Sequence, residues 1–520
     1  MSENSRVVKA AGVVGAATLL SRILGFIRDA VIAWFFGAGL SSDAFIAAFR
    51  IPNLLRRLFA EGSLSSAFIP VFTQYIVRRG QPEAFHLARS AFRLLSILLI
   101  LVSVGGILLS PWIVKVVAPG FVAEKYSLTV SLTRLMFPYI FFVGLVALCM
   151  GILNVLGHFA APALAPVLLN ISIIGSVLII SPSLSVPAVG LAVGVLIGGV
   201  LQLAIQLPVL LRIGFRFWEK AKLLHPGLRQ IGTLIPPVIL GGAVYQINIV
   251  IGTILGSLLA EGSVTYLYFA DRLVQFPLGV FAIAAATAVL PSLSRQAASE
   301  DFEALKDTFD HALKLVFFIS IPAMMGLIIL REPIVALLFQ RGEFDALATQ
   351  LTAQALLYYS LGLWAFSAVR IVAATFFAMQ DTRTPVKMAG LSILVNIILG
   401  LLLMKPLGHG GLALATSLAS ILNLGLLVRA LKNKLGVLGW KSIARSFCKT
   451  LVGSIAMGVA VWAAGLVLLS GKDPTLAELL GGVAGCIAIG ICAYGGVSYA
   501  LKSPELHIVL AEARKGIGRK

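Results

Sequence analysis

Charge is scarce in this chain: only 12% of its 520 residues are Asp, Glu, Lys or Arg, about half the share of a soluble domain. With so few charges and 59% hydrophobic residues, a water-soluble globule is excluded. Cysteine is nearly absent. The four present, Cys149, Cys448, Cys486 and Cys492, sit in apolar runs without metal-ligand spacing, which excludes a disulfide framework and predicts small buried hydrophobes. The sequence has no P-loop, no HExxH and no Asp-rich phosphate-transfer motif, so neither an enzyme nor a cofactor nor a metal site is expected. A membrane-embedded glycosyl- or phosphotransferase would need a general base or a metal-binding acidic pair, and the six histidines are scattered along the sequence.

What the chain has is apolar length. A spanning helix needs about 20 residues, and hydropathy with loop breakers places fourteen spans near 8–37, 43–76, 88–118, 127–156, 160–181, 186–212, 228–258, 263–296, 304–331, 345–379, 384–405, 410–432, 443–470 and 475–500. The first apolar stretch carries Arg22 and Arg28 and is too long for a cleavable signal, so it is read as the first span. The net charge of +19 points in a soluble protein to nucleic acid. Here alternate loops hold about 25 and about 6 basic residues, the positive-inside pattern, which puts both termini in the cytoplasm and excludes nucleic acid as a partner.

The chain also resembles itself at an offset of 220 to 223 residues. Pro70 answers Pro291, Glu83-Ala84 answers Glu303-Ala304, Gly106 and Pro111 answer Gly326 and Pro333, Gly120 answers Gly342, and Pro162 answers Pro385. An even number of spans per copy makes the repeat parallel. The expected fold is therefore an all-α polytopic membrane protein, with two parallel six-helix lobes at 1–215 and 222–437, an added helix pair at 438–500 and a basic cytoplasmic tail at 501–520. Two parallel lobes are the architecture of an alternating-access transporter, monomeric by expectation because the cleft lies within one chain.

Arginines inside the spans carry the functional signal, since each costs about 2.5–3.5 kcal/mol at a helix centre on insertion scales. The first span reads Ser21-Arg22-Ile23-Leu24-Gly25-Phe26-Ile27-Arg28-Asp29. At 100° per residue Arg22 and Arg28 stand about 120° apart, Gly25 between them allows a bend, and Asp29 can pair with Arg28. In the second span Pro52 opens the helix before Arg56 and Arg57. Arg57 can pair with Glu61 four residues on, which leaves Arg56 without a partner in its own helix, and Asp43 lies at the outer end, placed to close the outward side. In the second lobe Asp271 and Arg272 occupy the place of the Arg50 region, Arg370 lies within the tenth span, and Asp381 with Arg383 forms a loop turn before Pro385. A cavity so rich in arginine and poor in acid fits an anionic substrate, most simply a phosphate or diphosphate. A cavity for cationic drugs would need Asp or Glu instead.

The segments SRILGFIRDAVIAWFFGAGLSSDAF, IPNLLRRLFAEGSLSSAFIPVF, YFADRLVQFPLGVF, LFQRGEFD and QDTRTPVK resemble the MurJ family of lipid II flippases, within the multidrug/oligosaccharidyl-lipid/polysaccharide exporter superfamily. The resemblance covers essentially the whole chain and is most specific in the first two spans. It implies transport of the undecaprenyl-diphosphate-linked peptidoglycan precursor, lipid II, from the cytoplasmic to the outer leaflet of the bacterial inner membrane. Arg22, Arg28, Arg56 and Arg272 match the family's substrate-binding arginines. Ser21, Asp29, Asp43, Arg57, Glu61 and Asp271 match positions that support binding or gating, Arg370 stands where relatives carry a basic residue, and Gly25 joins them as the supporting bend. Gln275 departs from relatives that carry Glu, which weakens an acidic gate there, and the seventh span lacks the acidic residue by which some members hold sodium. The expected partners are lipid II and the bilayer, with cell-wall synthesis or division proteins as further candidates. The rival readings are export of another polyprenyl-linked glycan or of a drug, and the transferase.

Overall fold

The computed structural model describes residues 3–58, 64–436, 439–471 and 474–517, with side chains throughout except at 3–11, 58, 65, 237–245 and 512–517. The described residues form helices and connecting loops, with no strand among them. In chain order the helices are α1 (Glu3–Phe36), α2 (Leu40–Leu58), α3 (Leu64–Arg79), α4 (Gln81–Val117), α5 (Ala123–Met136), α6 (Tyr139–Val155), α7 (Ala160–Gly175), α8 (Ala188–Ala204), α9 (Leu207–Arg212) and α10 (Pro226–Ser257). They continue as α11 (Ser263–Pro277), α12 (Ile283–Ala298), α13 (Phe302–Ile329), α14 (Arg331–Phe339), α15 (Ala346–Ser360), α16 (Leu363–Ala378), α17 (Arg383–Leu435), α18 (Trp440–Leu468), α19 (Leu476–Ala500) and α20 (Pro504–Ile517).

Among the described residues, helix occupies each of the fourteen expected spans. Several are broken: the fourth by Phe137-Pro138 between α5 and α6, the eighth by a π-helical turn at Leu278–Ala282 after Pro277, and the tenth by a 43° bend between α15 and α16. Among the described residues nine stretches are long and apolar enough to cross a bilayer, or ten with the bent pair. That count takes α17 once, although its 53 residues are two helices joined at Gly408. There φ is 56°, a left-handed conformation open to glycine at little cost, two residues after Pro406 has removed a backbone donor. The chain is a multi-pass, all-α membrane protein.

The helices gather into two compact units, residues 1–265 with 342–344, and 266–341 with 345–520. In the first unit α7 and α8 pack closely because α8 carries glycine at every fourth position, Gly190, Gly194 and Gly198. A Cβ at Gly194 would lie 2.9 Å from the Cα of Ile173, so only glycine lets the backbones meet. The contact is stitched by hydroxyls on α7 and the turn after it: Ser172 Oγ donates to the Gly194 carbonyl at 2.6 Å and Ser176 Oγ to the Gly190 carbonyl at 2.5 Å. The same unit takes in α10, which packs on α2, α3 and α4.

In the second unit Phe309, Phe317, Ile371, Phe376, Leu427 and Leu431 form one core from α13, α16 and α17. The helix pair α18 and α19 joins it firmly. Phe447 packs edge-on against Phe317, and the Tyr494 hydroxyl donates to the Phe318 carbonyl at 2.8 Å. The opposite side of α18 shows Val452, Ile455, Val459, Trp462 and Leu466 outward at helical spacing, a face suited to lipid. Cys149 and Cys486 are buried as expected, whereas Cys448 and Cys492 are exposed; an apolar run inside a bilayer need not face protein.

Candidate functional site

Helix α1 is continuous through Gly25, and Arg22 and Arg28 along it meet opposite environments. Arg22 is exposed, while Arg28 is 8% and Asp29 2% exposed. Arg28 donates to Asp29 Oδ1 from Nη2 at 2.6 Å and from Nε at 3.0 Å, so the neighbouring carboxylate carries its counter-charge. A third bond comes from a residue absent from the sequence reading: Asn170 on α7 accepts from Arg28 Nη1 at 3.1 Å. The amide of Asn170 also donates to the Ser21 carbonyl at 3.0 Å. One buried side chain thus ties the start of the Ser21-to-Asp29 segment to its end, across half-buried Gly25.

On α2, Arg56 is half-buried and donates to Asn53 Oδ1 from Nε at 3.1 Å and Nη2 at 3.0 Å. The expectation that it lacks a partner in its own helix is therefore corrected, because Asn53 lies three residues back on the same face. Arg57 is half-buried, and Glu61 lies outside the described residues. Asp43, in the first turn of α2, is 1% exposed and fully engaged. Its Oδ2 accepts from Lys125 Nζ at 2.5 Å and from the Gly262 amide at 2.8 Å; its Oδ1 accepts from the Thr265 amide at 2.9 Å and the Thr265 hydroxyl at 2.7 Å. Glu261 beside this turn accepts from the Leu40 amide at 2.9 Å, satisfying one open donor at the start of α2.

In the second unit Asp271 and Arg272 are half-buried on α11. Arg272 bonds the Tyr268 hydroxyl from Nη2 at 3.1 Å and Nε at 3.3 Å and lies 5.3 Å from the centre of that ring. Gln275 donates its amide to Asp271. Arg370 is exposed on α16. Outside the spans, Asp381 accepts from the Thr384 amide at 3.0 Å and from Lys434 at 2.9 Å, joining the two ends of α17. Those contacts, the Thr384 amide first, lower its pKa to about 2.

The structure corrects one further reading. The histidines are not all scattered: His86 on α4 and His225 before α10 come together beside Glu83. Their separation of 139 positions hides this in the sequence. Asn170, Lys125 and Thr265 were missed for a like reason, being ordinary polar residues whose partners are remote in the chain. The arginines stood out because charge inside a span is costly.

Residues 32–472 match the family described as lipid II flippase MurJ. A probable lipid II flippase MurJ of Vibrio cholerae is 38% identical over 504 residues, covering 94% of this chain and 96% of the relative. The lipid II flippase MurJ of Burkholderia cenocepacia is 34% identical over 500 residues, with 94% and 96% covered. Among solved structures, a lipid II flippase MurJ in an inward closed conformation superposes with a TM-score of 0.80 at 28% identity, over 94% of this chain and 98% of that one. An inward-facing MATE-family multidrug transporter reaches 0.66 at 18% identity, over 80% and 94%, a likeness of fold alone.

Proposed function

The chain belongs to the lipid II flippase MurJ family, and from that premise we propose that it carries lipid II from the cytoplasmic to the outer leaflet of a bacterial inner membrane. Both termini lie on the cytoplasmic side in this reading, and the transporter acts as a monomer without covalent chemistry. The lobes at 1–215 and 222–437 are the moving bodies, with the helix pair at 438–500 and the tail at 501–520 as additions. The observation that carries the proposal is the setting of Arg28, a buried cation inside a span with its charge balanced by Asp29 and its guanidinium aimed by Asn170. Such a group is pre-oriented for the diphosphate of a lipid headgroup, where a flexible surface lysine would first have to be ordered. Arg22 and Arg56 of the first unit, and Arg272 of the second, bind the same anionic headgroup. Ser21, Gly25, Asp29, Arg57, Asp271 and Arg370 support them, and Asp43 and Glu61 act in gating.

The prenyl tail cannot enter a cationic cavity cheaply and stays in lipid, along the outward apolar face of α18. Energy comes from the membrane potential or an ion gradient, one charge being worth about 2.3 kcal/mol per 100 mV. The test is complementation of cells depleted of their own lipid II flippase, with outer-leaflet lipid II as readout. Rescue by the wild-type chain and failure of Arg28→Ala and Arg272→Ala at matched expression support the proposal. A wild-type chain that inserts without delivering lipid II overturns it and selects export of another polyprenyl-linked glycan.

A further inference from the structure

Glu83 and His86 stand three residues apart in the opening turns of α4, on one helix face. His225 meets them from the N-cap of α10. Its side chain is 3% exposed, and its Nε2 lies 3.2 Å from Glu83 Oε1. The His86 and His225 rings are 5.5 Å apart between centres. Each of the three residues offers a ligand atom, and these atoms all fall within 4.8 Å of one another. A second observation singles the place out: Nδ1 of His86 is buried and has no hydrogen-bond partner among the described residues. Buried polar atoms are nearly always satisfied, so an unpaired imidazole nitrogen on one of three clustered ligand residues marks a place for a ligand.

We propose that Glu83, His86 and His225 form a binding site for a divalent transition-metal cation of the zinc class, which clips the start of α10 to the start of α4. Two imidazoles with one carboxylate suit zinc and its neighbours, whereas calcium and magnesium need oxygen ligands throughout. At zinc–ligand distances near 2 Å, tetrahedral ligand atoms stand about 3.4 Å apart, so an ion draws the present set together by little more than an ångström. Glu83 is 43% exposed, which gives the ion a way in and leaves the fourth position to water.

Two features oppose binding. Arg79 acts electrostatically on Glu83 and reduces its pull on a cation. The Gly227 amide donates to His225 Nδ1 at 3.1 Å, which keeps the ring's single proton on Nε2. On metal capture that proton moves to Nδ1 and the cap on Gly227 is given up, a small loss beside the free energy of a three-ligand zinc site.

The test uses the full-length protein in detergent, stripped with chelator and freed of any affinity tag, and titrated with Zn²⁺ alone. The expected result is one Zn²⁺ per chain, bound at least tenfold more tightly than by Glu83→Gln or His86→Gln, with a saturable rise in Tm that both variants lose. His225→Asn removes the ligand while keeping a capping side chain, so its loss of binding cannot be laid to unfolding of α10. Wild-type protein that takes up no Zn²⁺, or variants that bind it as well as wild type, overturns the proposal.

Discussion

The Arg28 and Asp43 networks of the first unit are both buried, and they are built in opposite ways. Around Arg28 the bonds bind one helix: the carboxylate is the next residue, and Asn170 from α7 binds that same helix twice. Around Asp43 a single carboxylate collects four donors from three places, its own helix supplying none of them. Two carboxylate oxygens offer about four acceptor sites, so Asp43 is saturated by protein. A local network keeps its geometry when other parts move and so presents a fixed charge. A network that joins α2 and α5 to the first turn of α11 and the glycine before it breaks when these segments part. The first has the form of a binding group and the second that of a latch.

The largest expected effect is loss of the latch. Asp43→Ala leaves Lys125, 13% exposed, without its counter-charge, and strands the donors of Gly262 and Thr265. Removing one partner of a buried pair costs about 3–5 kcal/mol, and unfolding in detergent should show a loss of that size. A double-mutant cycle of Asp43→Asn with Lys125→Met then isolates the ion pair from the backbone bonds. A loss below about 1 kcal/mol would place Asp43 with the many mild substitutions and remove the contrast.

Asn170→Leu should come next. It removes the acceptor that faces Arg28 Nη1 and the side-chain donor to the Ser21 carbonyl, a cost of about 1–3 kcal/mol. Asn170→Asp separates the two bonds, since it keeps the acceptor for Arg28 and drops the donor to Ser21. If Asn170→Asp is as stable as wild type, the link to Ser21 contributes nothing, and Asn170 serves Arg28 alone.

What could be read in advance follows the same division between local and remote. The spans and the Arg28–Asp29 pair were legible because hydropathy and adjacency are properties of short windows. The α8 glycines could have been read as a packing face, because every fourth residue falls on one side of a helix. Asn53 under Arg56 was within reach of the same i, i+3 rule. Lys125 lies 82 positions from Asp43, and Gly262 and Thr265 lie 219 and 222 away, so no window holds that network. The break at Gly408 also has a local signal, Pro406 and three glycines within six residues, and the sequence reading did place a loop there.

A surface counterpart sharpens the contrast between buried and solvated carboxylates. Asp381 has a folded pKa of about 2, below its ordinary 3.8, so its contribution is complete above pH 3.8 and fades as the pH falls toward 2. Its charge is held by the Thr384 amide and by an ion pair with exposed Lys434, a surface arrangement worth about 1 kcal/mol. Asp381→Asn should therefore lower stability by about that amount at pH 7 and flatten the acid limb between pH 4 and 2. A pH–stability curve that stays parallel to wild type through that window would show the carboxylate to be idle.

The smallest effect on stability is expected at Arg22, a residue assigned to transport. Arg22 shares α1 with Arg28 but is exposed, so Arg22→Gln removes no buried pair and should change unfolding by no more than about 0.5 kcal/mol. If the two arginines serve one anionic headgroup, the variant should nevertheless fail to deliver lipid II in depleted cells. Arg28→Gln, by contrast, should lose stability and transport together, because it leaves Asp29 buried without its cation. Equal stability losses in the two variants would mean that Arg22 is structural, and full rescue by Arg22→Gln would leave Arg28 as the binding arginine of that helix.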